Sequence, residues 1–232
     1  MSYLRLIFLS SLAKKIVTGV TGFVVIFYTL VHLAGNSLLF FGNPNLFNSY
    51  AEFLTGFGWF TVLVELVLAG FFLFHSIAGV IVWIDKKRAR RQGYAVTDMA
   101  GPPSKMTLSS RTMIISGVIL FAFLILHVAA FRLGPAEAEG YVTQLDGKEA
   151  RDLYRLVVEL FSDKIIVIWY MFAMVFLGFH IRHGFWSMFQ SLGLNRPGFI
   201  QFLYIAAIFI AVILAAGFFI IPLWIFFTGG AA

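Results

Sequence analysis

The chain has 232 residues, 60% of them hydrophobic and only 12% charged, and carries a net charge of +6. A mean hydropathy of +0.91 makes the bilayer, not water, the expected solvent, and the positive charge sits at the ends of apolar segments instead of forming a groove for nucleic acid. The absence of cysteine excludes disulfides, cysteine-held iron–sulfur clusters and thioether-linked haem.

About twenty apolar residues cross the hydrocarbon core. Five stretches meet that length, at roughly 16–42, 57–84, 112–131, 165–190 and 198–228. The chain therefore reads as one all-α membrane domain over residues 1–232, with no internal repeat and no separate soluble part. The first 15 residues, with Arg5, Lys14 and Lys15, read as an interfacial lead-in helix retained in the mature protein, since no cleavage-site pattern follows a short apolar run. The connection 44–58 reads as a short helix. The connection after the second span is basic, with Lys86, Lys87, Arg88, Arg90, Arg91 and Lys105 against Asp85 and Asp98. The other side collects Glu52, Glu137, Glu139, Asp146, Glu149, Asp152, Glu159 and Asp163. The excess of lysine and arginine predicts a cytoplasmic N-terminus and an outer C-terminus. Within 148–163, Leu153, Leu156, Val157 and Leu160 share one helical face, which predicts an amphipathic helix on the outer surface.

Four of the five histidines lie one to a span: His32, His75, His127 and His180. Ionisable groups within the membrane are rare and usually functional. Helix rise converts their positions to depth. His32, 17 residues past Lys15, and His127, 16 past Arg111, lie about 25 Å and 24 Å from the basic side. His75, 11 residues before Lys86, and His180, 10 before Gln190, lie about 16 Å and 15 Å deep. In four helices wound in order, the first and third are diagonal, as are the second and fourth. Diagonal histidines at equal depth are what two stacked bis-histidine haems require, with planes roughly 9 Å apart in depth. Gly79 and Gly184, each four residues after its histidine, leave room for a porphyrin edge. Asn36 can hydrogen-bond beside His32. A lone membrane histidine is as readily a helix–helix hydrogen-bonding group as a ligand; four at paired depths favour ligation. His183 stays open between alternative ligand, haem-propionate partner and interfacial histidine, the last two preferred. Arg111 and Arg182 are candidate propionate contacts, against the default of snorkelling cations. Glu65, the one acid inside a span, is open between a protonated interhelical carboxyl and a proton acceptor beside a quinone.

These residues resemble those of the single-chain dihaem cytochrome b subunit, b558 type, of succinate dehydrogenase and fumarate reductase. The resemblance covers nearly the whole chain. It is carried by His32-Leu-Ala-Gly-Asn36, Asn48-Ser-Tyr50-Ala, His75-Ser-Ile-Ala-Gly79, Arg90-Arg91-Gln-Gly-Tyr94, Ser116-Gly117 with His127, and most specifically by Phe179-His180-Ile-Arg-His183-Gly184-Phe-Trp186 with Gln190 and Gly193. It implies a bacterial cytoplasmic-membrane protein of the respiratory chain and tricarboxylic acid cycle. His32 and His127 would ligate the outer, distal haem b, and His75 and His180 the inner, proximal one. The spacing to the glycine in the family's motif selects His180 over His183 as the fourth-span ligand. A flavoprotein subunit with FAD and an iron–sulfur subunit would dock on the cytoplasmic face and do the succinate and fumarate chemistry. Electrons would pass through both haems to or from a quinone, preferentially menaquinone, near the outer haem. Some relatives carry a glutamate just before the fourth-span histidine, linked to proton movement; Gly178 and Phe179 stand there in this chain. The alternatives are a cytochrome b subunit of a hydrogenase or formate dehydrogenase, which would place two ligands on one helix, and a haem-free transporter or anchor.

Overall fold

A computed structural model describes residues 10–89, 108–194 and 196–230. Residues 1–9 of the expected lead-in helix, and the basic stretch with Arg90, Arg91, Tyr94, Asp98 and Lys105, lie outside the described residues, as does the side chain of Arg111. Helix α1, Ser11–Asn36, begins where Ser10 Oγ accepts from the Ala13 amide at 3.1 Å. Residues 11–15 are thus the first turn of the span and not a separate lead-in helix. A 3₁₀ segment, Ser37–Phe41, extends the span to Gly42. The short helix expected at 44–58 is α2, Pro44–Thr55, with Asn43 as its cap and Pro44 in the first turn. The long spans are α3, Trp59–Arg88, then α4, Met113–Phe131, preceded by a single turn at Leu108–Arg111. Near the C-terminus come α6, Lys164–Ser191, and α7, Pro197–Thr228. All five spans are helices long and apolar enough to cross a membrane. Each end of α6 and α7 lies within about two residues of the sequence-based bounds.

The connection between α4 and α6 departs from expectation. Residues 148–151 are strand, not helix: β1, Val142–Leu145, pairs antiparallel with β2, Lys148–Arg151, with Leu145 opposite Lys148. The reason is the intervening Asp146-Gly147, whose φ angles of 48° and 77° make the two-residue turn that matches strand twist. The helix starts only after Asp152, whose carboxylate accepts from the Arg155 amide at 3.0 Å, giving α5 as Leu153–Phe161. It is amphipathic, with Tyr154, Leu156, Val157 and Phe161 buried and Arg155 and Glu159 exposed. Its apolar face packs into the core with Leu39, Phe47 and Ile225 instead of lying on a surface. Asn48 of α2, 1% exposed, ties this cap down: it donates to Asp152 at 2.8 Å and accepts from the Tyr154 amide at 2.8 Å. Arg151 covers the end of α4 by donating to the carbonyl of Phe131 at 2.8 Å, an orphan acceptor at the helix C-terminus, and to that of Pro135 in the following loop at 2.7 Å.

The spans pack in chain order. α1 lies against α3 and α6, α6 against α4 and α7, and α3 touches α4 more sparsely. The diagonals α1–α4 and α3–α6 have almost no backbone approach, so what fills the space between them is side chain. At the end of α3, Asp85 accepts from Lys14 of α1 at 2.6 Å, fixing the register of these two helices.

Candidate functional site

The diagonal gap is where the histidines meet. His32 of α1 and His127 of α4 face each other with ring centroids 5.8 Å apart and planes at 88°. His75 of α3 and His180 of α6 do so at 6.0 Å and 72°. Among the described residues no three histidine, cysteine or acidic side chains converge on a metal-sized site, so the histidines meet in twos. Two metal–imidazole bonds of about 2 Å each, plus the half-width of a ring on either side, put the centroids of a bis-histidine pair roughly 6 Å apart. Both pairs have that separation.

Hydrogen bonding places the proton in the His75–His180 pair. His75 Nδ1 lies 2.9 Å from the Thr18 carbonyl oxygen, which can only accept, so Nδ1 carries the hydrogen. Ser116 Oγ lies 3.0 Å from the Met113 carbonyl and 3.0 Å from His180 Nδ1. Its hydroxyl hydrogen goes to the carbonyl, leaving its oxygen to accept from His180 Nδ1–H. Each imidazole then has Nε2 as a bare lone pair. That is the arrangement of metal-ligating histidines, whose second nitrogen is held by an outer partner. Glycines bring the rings in. A Cβ at Gly22 of α1 would stand 2.8 Å from His75 Cε1, and one at Gly117 of α4 would stand 3.6 Å from His180 Cε1. Beside Gly79 and Gly184 there is open space: a methyl group added at either would meet nothing within 4 Å.

The His32–His127 pair sits among aromatic rings. Tyr28 stacks on His32 at 5.6 Å and Phe218 lies 5.7 Å from it. Phe123 stacks on His127 at 5.6 Å, Phe131 lies at 5.1 Å, and Tyr170 Oη is 3.2 Å from His127 Nδ1. Asn36 Nδ2 donates to the His32 carbonyl at 2.8 Å and stands 3.4 Å from both ring nitrogens. Here the neighbours are phenol and amide, where the His75–His180 pair has a backbone carbonyl and a hydroxyl.

The remaining candidates are placed differently. His183 meets Trp186 edge-on at 5.3 Å, and among the described residues its buried Nδ1 has no hydrogen-bond partner and its ring faces no second histidine. Arg182 donates across 3.5 Å to Ser109 Oγ at the foot of α4. Glu65 accepts from Arg132 through both carboxylate oxygens, at 2.8 and 3.0 Å, and both side chains are partly exposed. It is paired as a carboxylate and not hydrogen-bonded as a neutral carboxyl between helices. Sequence reasoning passes over Thr18, Gly22, Tyr170 and Arg132. Gly22 alone carries a signal, being a glycine within an apolar helix.

No protein-family model, curated protein or solved structure matches the chain. A functional assignment therefore rests on the residues and their geometry.

Proposed function

We propose that the chain is the membrane-anchor and electron-transfer subunit of a succinate:quinone oxidoreductase, holding two b-type haems. The observation that carries this reading is the pair of facing imidazole couples, each joining diagonal helices at a separation suited to one metal ion. His75 and His180 would hold the inner group and His32 and His127 the outer one, while helices α1, α3, α4 and α6 form a four-helix bundle around them. Bound haem would supply a one-electron carrier at each of two depths.

The chain's own residues do the rest. Thr18 and Ser116 hold the inner imidazoles with Nδ1 protonated and Nε2 free to bind. The aromatic rings around His32 and His127 keep water from the outer couple. Glu65 is the proposed proton acceptor of a quinone site near the outer couple, with Arg132 holding both of its oxygens in place. Menaquinone is the preferred quinone by resemblance. His183 and Arg182 stand near the inner end, where they would meet haem propionates. The basic end, with Lys14, Lys86, Lys87 and Arg88, is the proposed cytoplasmic face of a bacterial inner membrane, on which an iron–sulfur subunit and a flavoprotein subunit would dock.

Replacing histidines one at a time tests the pairing. His75→Ala or His180→Ala is expected to abolish one and the same optical b-band component and to spare the other. His32→Ala or His127→Ala is expected to do the reverse. Loss of the same component by a variant from each couple would contradict the proposal.

A further inference from the structure

Two hydroxyl groups cross the seam between α4 and α6. Ser116 of α4 meets Nδ1 of His180 on α6 at 3.0 Å. Tyr170 of α6 meets Nδ1 of His127 on α4 at 3.2 Å. Ser116 lies 11 residues before His127, and Tyr170 lies 10 before His180. Each helix therefore carries, about three turns apart, one histidine and the hydroxyl that meets the other helix's histidine. The contact order, 116 with 180 and 127 with 170, is that of antiparallel helices.

The phenol is fixed in place. Tyr170 is 9% exposed, and its ring packs edge-on against Phe123 at 4.9 Å and Phe161 at 5.0 Å. Phe123 belongs to α4 and Phe161 to α5, so two elements besides α6 set where the hydroxyl stands. A phenylalanine would fill the same box. What tyrosine adds there is one polar atom, which is destabilising in an apolar interior unless it is hydrogen-bonded. Oη occupies the Nδ1 side of His127, and Nε2 is the nitrogen left for a metal. With a metal on Nε2, the ring's one hydrogen sits on Nδ1 and the phenol oxygen accepts it. A partner of that kind fixes the ring's orientation and makes the imidazole a stronger electron donor.

Resting on the dihaem reading, we infer that Tyr170 is the positioning residue of His127, its oxygen accepting from Nδ1–H and tuning the group held by His32 and His127 alone. Redox titration of the purified, haem-loaded protein tests it, with the two components assigned by the single histidine replacements above. Y170F keeps the ring and removes the oxygen. It should raise the midpoint potential of the His32–His127 component, since a weaker donor favours the ferric state less. It should also weaken haem retention at that site about 10–100-fold and leave the His75–His180 component unchanged. S116A should do the converse. F161L, which alters the box and keeps the hydroxyl, should move the His32–His127 component less than Y170F does. Circular dichroism should show the same helix content in all three variants. A Y170F protein with two haems at wild-type potentials would overturn the inference and leave the dihaem reading standing. Equal shifts of both components in Y170F, or a shift in F161L as large as that in Y170F, would do the same. Fewer than two haems in the wild-type protein would overturn both.

Discussion

His180 is held by a hydroxyl whose own hydrogen is already committed to the Met113 carbonyl. Ser116→Ala removes that acceptor and leaves an imidazole N–H unpaired in the membrane, at a cost of about 1–3 kcal/mol. Loss of an outer partner of a metal ligand typically weakens metal retention about 10–100-fold. Haem titration of the S116A apoprotein is therefore expected to show one weakened site and one of normal affinity. At Gly22, an added methyl would meet His75 Cε1 at 2.8 Å, closer than real contacts allow, so the ring must shift. G22A is expected to lower inner-site occupancy in haem titration. The histidines themselves are legible because an ionisable group stands out in an apolar run. Their partners are not. Thr18 acts through a backbone carbonyl, and Tyr170 is an ordinary aromatic residue until α4 and α6 are placed side by side.

Among the elements, the hairpin before α5 is the one that helical spacing hides. Leu153, Leu156 and Val157 do repeat at a helical period, but that period does not reach back to Asp146-Gly147, where turn chemistry overrides it. The hairpin and α5 form a cap held to α2 by Asn48. Asn48→Ala leaves the buried Tyr154 amide without its acceptor and is expected to destabilise the cap by about 1–3 kcal/mol, read by hydrogen exchange over residues 141–161. The cap also titrates. The Tyr141 hydroxyl, donating at 2.5 Å, and the Arg155 guanidinium at 2.7 Å hold the Glu159 carboxyl below its ordinary range. A lowered folded-state value means that the contribution is present above the unfolded glutamate range and is lost as pH falls through the folded one. The same hydrogen bond to Glu159 raises Tyr141, so its contribution is present below the ordinary tyrosine range and is lost as pH rises through the raised value. Exchange protection of the cap should fall at both extremes and be flat between them. Glu159→Gln should flatten the acid limb.

For the whole molecule, five spans can be read from apolar length alone, and the structure forms helices over all of them, although the first begins at Ser11 instead of 16 and the second runs to Arg88 instead of 84. The diagonal placement of α1 with α4 and of α3 with α6 follows chain order. Depth arithmetic then pairs the histidines that the structure brings face to face. What cannot be read is how sparsely α3 meets α4, since lipid-facing and helix-facing leucines look alike in an apolar segment. The charge asymmetry between the two ends predicts that a reporter active only outside the cytoplasm works when fused after Thr228 and fails when fused within the connection between α3 and α4. The central claim is that each couple binds one haem. Its most direct test is the haem-to-protein ratio of the purified protein, read from its reduced-minus-oxidised spectrum. The account predicts b-type bands at about two haems per chain, one for each histidine couple; a colourless protein, or one haem per chain, would contradict it.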